Sequence, residues 1–116
     1  ERKQGACFQH GKMIVVDRRF ALVSTGNFNS SNLCNLARNP SAGNRDYTYI
    51  TRDPRFVGAL SEIFEKDLAG SRHDVRESVA RAGADGRLTV SPYSFDPLSR
   101  FIQSAARSVQ IQNQYI

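Results

Sequence analysis

Apolar positions in the first half of the chain predict a hairpin and a third strand. Residues 6–17 are predicted as a strand because they contain the continuous apolar run MIVV. A second short run, residues 20–23, follows an Arg-Arg turn, so the two runs are expected to pair. Residues 28–45 are rich in Asn and Ser and indicate a loop. The alternating sequence DYTYIT, residues 46–51, predicts a third strand.

Two Asp-Pro pairs, at residues 53–54 and 96–97, each predict the start of a helix. Aspartate is a good N-cap and proline suits the first helical position. The first helix is expected to end at Gly70, because glycine is the usual residue after a helix. Spacings of three and four give each helix an apolar face: Val57, Leu60, Ile63, Phe64 and Leu68 in the first, and Leu98, Phe101, Ile102 and Ala105 in the second.

The remaining segments suggest a boundary between two similar units. Residues 71–87 carry many charges and no aromatic residue, so we predict a linker with a short helix near residues 74–81. Residues 88–91 and 109–116 are predicted as strands on either side of the second helix, which would form a parallel βαβ unit. The order predicts the tail of one α/β unit, a linker and the head of another, as in a fragment of a longer protein.

Composition limits the class of protein only loosely. The 116 residues fit one small domain, and 40% hydrophobic residues can form a modest core. A net charge of +5 favours anionic partners such as phosphodiesters, nucleic acid or acidic lipid headgroups, without choosing among them. No apolar run is long enough for a membrane span. Cys7 and Cys34 form no CxxC pattern and are interpreted as free thiols.

The candidate chemistry lies in HGK, residues 10–12, and in STGN, residues 24–27. Alternate side chains of a strand share a face, so His10 and Lys12 should point the same way. An imidazole can act as nucleophile or general acid, and a lysine can stabilise charge that develops on phosphoryl oxygens. Thr25 and Asn27 could donate further hydrogen bonds. If the two runs are neighbours, these four side chains could converge at one sheet edge.

Each of these features has an ordinary interpretation when taken alone. A His-x-Lys pair is so short that it often occurs by chance. Aspartate at the end of a strand, as at Asp17, is usually a turn former. A polar STGN segment is usual at the entry to a loop. The argument for function therefore depends on their combination in one order: His-x-Lys, four residues, Asp17, six residues, then Ser-Thr-x-Asn.

In that order HGKMIVVD resembles the HxKxxxxD signature of the phospholipase D superfamily, and STGN is similar to its GSxN segment. Residues 88–116 resemble the opening of a second repeat in two-repeat members such as bacterial cardiolipin synthase-like proteins. The resemblance implies an α/β sandwich of a mixed sheet flanked by helices. Residues 1–70 would be the C-terminal half of a first repeat, residues 71–87 a linker, and residues 88–116 the start of a second repeat.

The resemblance also implies a two-step, metal-independent phosphodiester transfer through a phosphohistidine, without a cofactor. His10 would be nucleophile or general acid, with nucleophile preferred. Lys12 and Asn27 would bind the phosphoryl oxygens, and Thr25 would supply the hydroxyl where the family usually has serine. Asp17 would organise the site, and it is predicted as a catalytic residue together with His10, Lys12 and Asp46.

Asp46 resembles the acidic residue that hydrogen-bonds the catalytic histidine, a bond that would fix the tautomer of His10. Two departures are visible. Ser24 replaces the usual glycine, and only one HxK is present, because His73 is followed by Asp and Val. His73 is interpreted as a solvated linker histidine. The second motif is expected from another part of a longer chain or from another subunit.

Three functional interpretations follow. The first is a phospholipase or phosphatidyltransferase acting on phospholipids, which allows peripheral contact with a membrane or the cell envelope. The second is a nuclease of the same superfamily, against which the linker and the apparent second repeat count. The third is a non-catalytic module that only binds anions.

Overall fold

The computed structural model describes residues 10–30, 32–33 and 44–113. This part of the chain is a small mixed α/β structure, as predicted, with a three-stranded sheet and three helices. Cys7, Cys34 and residues 114–116 lie outside the described residues. The elements in chain order are β1 (Met13–Val16), β2 (Phe20–Ser24), β3 (Thr48–Thr51), α1 (Pro54–Leu68), α2 (Val75–Arg81) and α3 (Phe95–Gln103).

The sheet is antiparallel with the order β1-β2-β3, which confirms the predicted hairpin and third strand. The hairpin turn closes where the Arg19 N–H donates to the Val16 carbonyl oxygen at 2.9 Å. Both central residues of that turn have positive φ, 53° at Asp17 and 51° at Arg18. Positive φ at both positions is typical of type I′ turns, whose twist matches that of the flanking strands. Asp17 is therefore a turn residue.

The core lies between one face of the sheet and α1. Ala21 is buried with Val57 and Leu60, and residues of β1 and β2 at alternate positions, Met13, Val15 and Val23, pack against them. The opposite face of the sheet carries Ile14 and Ile50, which are 42% and 65% exposed. In the described part of the chain the sheet is thus covered by helix on one face, whereas helices on both faces were predicted.

Residues 71–87, predicted as a linker, contain α2 and belong to the core. Ser78, Val79 and Ala84 are buried, and Val79 and Ala84 cluster with Ala59 and Ile63. The Lys66 ammonium donates to the Ser78 hydroxyl at 3.3 Å and links α1 to α2. The predicted short helix is confirmed, but the segment packs tightly on what precedes it. The division of the chain into two repeats stays a prediction.

The His73 side chain is largely covered by protein, so its interpretation as a solvated histidine was wrong. Its side chain is 9% exposed, and its Nε2 lies 2.8 Å from the Asp67 Oδ1. The chain turns back after α1 at Gly70, where φ is +66°. This reversal places the histidine against the last turn of the helix, a contact that the charged local sequence does not reveal.

The C-terminal third differs most from the prediction. The strands expected at residues 88–91 and 109–116 are absent from the described residues, so these residues form no βαβ unit. Leu88 and Val90 instead pack on the core as irregular chain. The predicted helix is present as α3, but Ser94 is its N-cap and none of its residues is buried. Among the described helices, none combines the length and apolarity needed to cross a bilayer.

Candidate functional site

The structure brings His10 and Lys12 together at the open end of the hairpin. The Lys12 Nζ lies 2.8 Å from the His10 Nδ1 and 2.9 Å from the Nε2. The two residues lie just before β1, on either side of Gly11, and the long Lys12 side chain reaches the His10 ring. An ammonium can donate only to an imidazole nitrogen with a lone pair, and that lone pair is what nucleophilic attack uses.

The backbone of Lys12 ties this pair to the second strand. Its carbonyl oxygen accepts a hydrogen bond from the Ser24 N–H at 2.9 Å, which continues the β1-β2 register by one pair. Paired residues of an antiparallel ladder share a face, so Ser24 and not Thr25 lies on the face of Lys12. Thr25 is at the same end of the sheet and, by alternation, on the other face. Alternation along each strand can be predicted from the sequence, but the register between the two strands, which decides the face of Thr25, cannot.

A second polar cluster lies where β2 leaves the sheet. The Thr25 hydroxyl donates to the Asp46 Oδ1 at 3.0 Å, and the Asn32 side-chain amide donates to the Asp46 Oδ2. Asn32 was not among the predicted site residues, because one asparagine in an Asn-rich loop carries no distinguishing sequence signal. The hydrogen bonds shown for the Asp46 carboxylate go to these two residues, and the Asp46–His10 bond stays a prediction.

Gly26 allows this cluster to close. The glycine is buried, and a Cβ placed on it would lie 2.4 Å from the Asp46 Cγ and 2.8 Å from the Asn32 Nδ2. Any side chain at this position would therefore displace the carboxylate. The third residue of STGN thus has a steric reason to be glycine.

Backbone pairing between β2 and β3 carries Asp46 to this position. The Thr25 N–H donates to the Tyr47 carbonyl oxygen at 3.0 Å, and the Tyr47 N–H donates to the Thr25 hydroxyl at 2.9 Å. These bonds extend the β2-β3 ladder one step beyond the strands. Asp46 is consequently held by regular pairing and by its own hydrogen bonds.

The other predicted residues are placed differently. Asp17 lies in the hairpin turn at the opposite end of β1. The whole of β1 lies between Asp17 and Lys12, a separation of roughly 16 Å at about 3.3 Å per strand residue, so Asp17 does not reach a group bound beside Lys12. Asn27 is exposed in the loop that follows Gly26, where its carbonyl oxygen accepts from the Asn29 N–H at 2.9 Å.

Charge and donor chemistry at this end of the sheet suit an anion rather than a cation. Lys12 supplies a positive charge beside the imidazole, while the Asp46 carboxylate is engaged by Thr25 and Asn32. Across the described residues, no group of three or more His, Cys, Asp or Glu side chains is arranged to hold a metal ion.

Comparisons with protein-family models, with curated proteins and with solved structures give no match. The assignment of function therefore depends on the residues themselves: an imidazole, an adjacent ammonium and a hydroxyl-carboxylate cluster at one end of a sheet.

Proposed function

We propose that the chain contributes one half of a phosphodiester-transfer site with a phospholipase D-like fold, acting on phospholipids as a phosphodiesterase or phosphatidyltransferase. The contact between the Lys12 ammonium and the His10 ring, at 2.8 Å, is the observation that supports this most directly. Under this proposal His10 is the nucleophile and Lys12 the charge-stabilising group, and their proximity supports action on one phosphoryl group.

The first chemical step joins His10 to phosphorus. An imidazole nitrogen attacks, the P–N bond forms, the P–O bond to the leaving alcohol breaks, and a general acid protonates that oxygen. Lys12 stabilises the negative charge on the non-bridging oxygens. In the second step water or an acceptor alcohol loses a proton and attacks. The new P–O bond then forms and the P–N bond breaks, which restores the lone pair of His10.

The general acid has no candidate beside His10 among the predicted site residues. Under this proposal a second HxK motif supplies it, from another part of a longer chain or from another subunit. Such a site would be completed by assembly, with the leaving oxygen facing the second histidine. Asp46 would then orient His10, and Asn27 would add hydrogen-bond donors to the phosphoryl oxygens. The Thr25 hydroxyl donates to Asp46 and would help to hold that carboxylate.

The surface around Lys12 favours a lipid over a polar substrate. Lys12 lies on the sheet face that α1 does not cover, in line with Ile14, and Leu22 and Ile50 continue the row of Ile14 across that face. An exposed apolar surface next to a cation matches the boundary between acyl chain and headgroup in a phospholipid. The net charge of +5 favours anionic headgroups as well.

The test uses protein expressed from the whole open reading frame, in excess EDTA, with phosphatidylglycerol liposomes and plasmid DNA offered in parallel. We expect lipid turnover that His10→Ala abolishes and Lys12→Gln lowers by at least about a hundredfold, as for removal of one charge-stabilising donor. Protein quenched in denaturant at neutral pH, where the P–N bond survives, should carry the phosphatidyl group on His10. The chain has one other histidine, His73, which serves as an internal control.

Each other outcome has a definite meaning. Cleavage of DNA that depends on His10 would replace the lipid substrate with nucleic acid. Binding of phosphate without turnover would leave an anion-binding module. A phosphatidyl group on His73, or turnover that persists in His10→Ala, would overturn the role assigned to His10.

A further inference from the structure

A cavity of about 790 Å³ lies between α2, α3 and the irregular chain that joins them. Its volume is in the range of small-molecule sites, roughly 300–1,000 Å³. The lining is apolar over much of its area and comes from both helices and from the connecting segment: Val75, Val79, Leu88, Val90, Leu98 and Phe101. None of the residues placed in the His10 site lines this cavity.

Two apolar residues of this lining are poorly covered by protein. Leu98 is 47% exposed and Phe101 is 74% exposed, although both belong to the apolar face of α3. Apolar surface that remains in water favours an apolar occupant. A flexible hydrocarbon chain along α3 would cover these side chains without any rearrangement of the sheet or of α1.

Cationic groups accompany this apolar surface. Arg76, Arg87 and Arg100 line the cavity, with Asp85 as the single carboxylate. Arg76 is held in place, because it donates to the Asp74 carboxylate at 3.0 Å and lies 3.9 Å above the ring of Tyr93. Its charge is therefore largely neutralised, while its side chain forms one wall.

Arg87 and Arg100 differ from Arg76 in this respect. Within residues 10–30, 32–33 and 44–113, neither is among the arginines that form an ion pair. Arg87 is near enough to Asp53 to contribute to the lowered pKa of that carboxyl, without forming a salt bridge to it. With Arg76 paired, the lining residues still include two arginines, Arg87 and Arg100, and one carboxylate, Asp85, so the lining has an excess of positive charge.

We propose that this cavity binds a single-chain amphiphile with a phosphate monoester headgroup. The hydrocarbon chain lies against Leu98, Phe101 and Val79, and the phosphate binds Arg87 and Arg100. Arginine suits this headgroup because its planar fork of N–H donors matches phosphate oxygens. The site is separate from His10 and does not depend on the function proposed there.

Titration calorimetry with dodecyl phosphate below its micellar concentration tests the proposal on the full chain. We expect saturable binding of one molecule per chain, unchanged in His10→Ala. Decyl phosphate should bind about three- to tenfold more weakly, because two fewer methylenes are buried. Inorganic phosphate, dodecyl maltoside and dodecyltrimethylammonium each lack one feature of the ligand and should bind at least tenfold more weakly.

Variants of the charged lining residues should change the affinity for dodecyl phosphate in opposite directions, which distinguishes a specific site from non-specific adsorption. Arg87→Gln and Arg100→Gln should each weaken binding about five- to tenfold, and Asp85→Asn should tighten it about twofold. Arg107→Gln is the matched control outside the cavity and should leave the affinity unchanged. Circular dichroism of each variant establishes that it is folded.

Three results would overturn the proposal. Equal affinity for dodecyl maltoside would remove the role of the arginines, and equal affinity for inorganic phosphate would remove the role of the apolar lining. The absence of saturable binding by a folded wild-type chain would show that the cavity is closed in solution or belongs to a protein interface.

Discussion

The helices α1 and α3 begin with the same Asp-Pro pair but contribute differently to the fold. In α1 the Asp53 carboxylate caps the helix by accepting from the Arg55 N–H at 3.0 Å, and four residues are buried. In α3 the N-cap is Ser94, which makes no side-chain capping bond, and no residue is buried. Equivalent local signals thus predict a helix without predicting how much that helix stabilises the protein.

The difference arises from what each helix faces. The apolar side of α1 contacts the sheet through Val57 and Leu60, and contacts α2 through Ala59 and Ile63. The apolar side of α3 faces the cavity and solvent. Most helical stability in proteins comes from packing of an amphipathic face, so only α1 should matter much for folding.

Truncation of one apolar residue in each helix should give the largest contrast. Ile63 is 3% exposed, and Ile63→Ala should lower the free energy of unfolding by about 2–4 kcal/mol, from lost burial and the resulting cavity. Phe101→Ala removes a larger side chain that is already in water, and should cost under about 0.5 kcal/mol. Urea unfolding followed by circular dichroism measures both.

The slope of the urea transition is a control, since an unchanged slope shows that the denatured states are comparable. A loss of stability in Phe101→Ala as large as that in Ile63→Ala would show that α3 is packed in solution. The contrast between the two helices would then be wrong.

Parts of the fold whose pattern is local could be predicted from the sequence. The hairpin, β3 and α1 have clear periodicities, and α1 also has recognisable signals at both ends. The packing of residues 71–87 on α1 could not be predicted, because charges surround the few apolar positions of α2, Val75 and Val79, that make the contact. Residues 88–91 form a short apolar run, and such a run becomes a strand only where a neighbouring strand pairs with it.

In the candidate site, too, the local features could be predicted from the sequence and the features that depend on distant contacts could not. His10 and Lys12 are two residues apart and their contact is local, whereas the position of Thr25 depends on a register between strands that no local pattern reveals. Asn32 reaches Asp46 across a separation of 14 residues and so escaped prediction. Asp17 was expected near the site because of the motif, but the turn places it at the far end of β1.

Gly26 is buried and Gly58 is exposed, so the two glycines allow a crowded position to be compared with an open one. Gly26→Ala would force a Cβ to within 2.4 Å of the Asp46 Cγ, and should destabilise the protein by about 1–3 kcal/mol through overpacking. Gly58→Ala meets only the Ala82 Cβ at 3.7 Å, within ordinary contact distance. Because Gly58 is helical, its replacement should stabilise α1 by about 0.5–1 kcal/mol. Thermal unfolding of both variants measures the opposite signs.

The Gly26 variant should also move Asp46. In this variant, hydrogen exchange of the backbone N–H groups of Thr25 and Tyr47 should become faster, because their hydrogen bonds extend the β2-β3 ladder next to Asp46. A Gly26→Ala protein with unchanged stability and unchanged exchange would show that the loop relaxes freely. The steric explanation for glycine in STGN would then fail.

The smallest expected effect is a difference between the N-termini of α1 and α3 in how the free energy of unfolding depends on pH. Hydrogen bonds from Arg55 lower the pKa of Asp53 from its ordinary value of 3.8 to about 2. A carboxyl with a depressed pKa in the folded state stabilises the protein above its unfolded-state pKa. That contribution should be complete above about pH 4 and should disappear as the pH falls toward 2. Asp53→Asn keeps a capping side chain but cannot titrate, so it should lose less stability across this range than the wild type.

Asp96→Asn makes the same chemical change at the start of α3 and should follow the wild-type curve, because α3 buries none of its residues. Glu62 and Asp74, whose pKa values are lowered by Lys66 and Arg76, keep some acid sensitivity in every variant. The relevant quantity is therefore the difference between variants in urea midpoint at pH 6 and at pH 2.5. Equal losses in Asp53→Asn and the wild type would mean that the ion pair with Arg55 does not persist in solution. Both Asp-Pro pairs would then act only through local helix initiation.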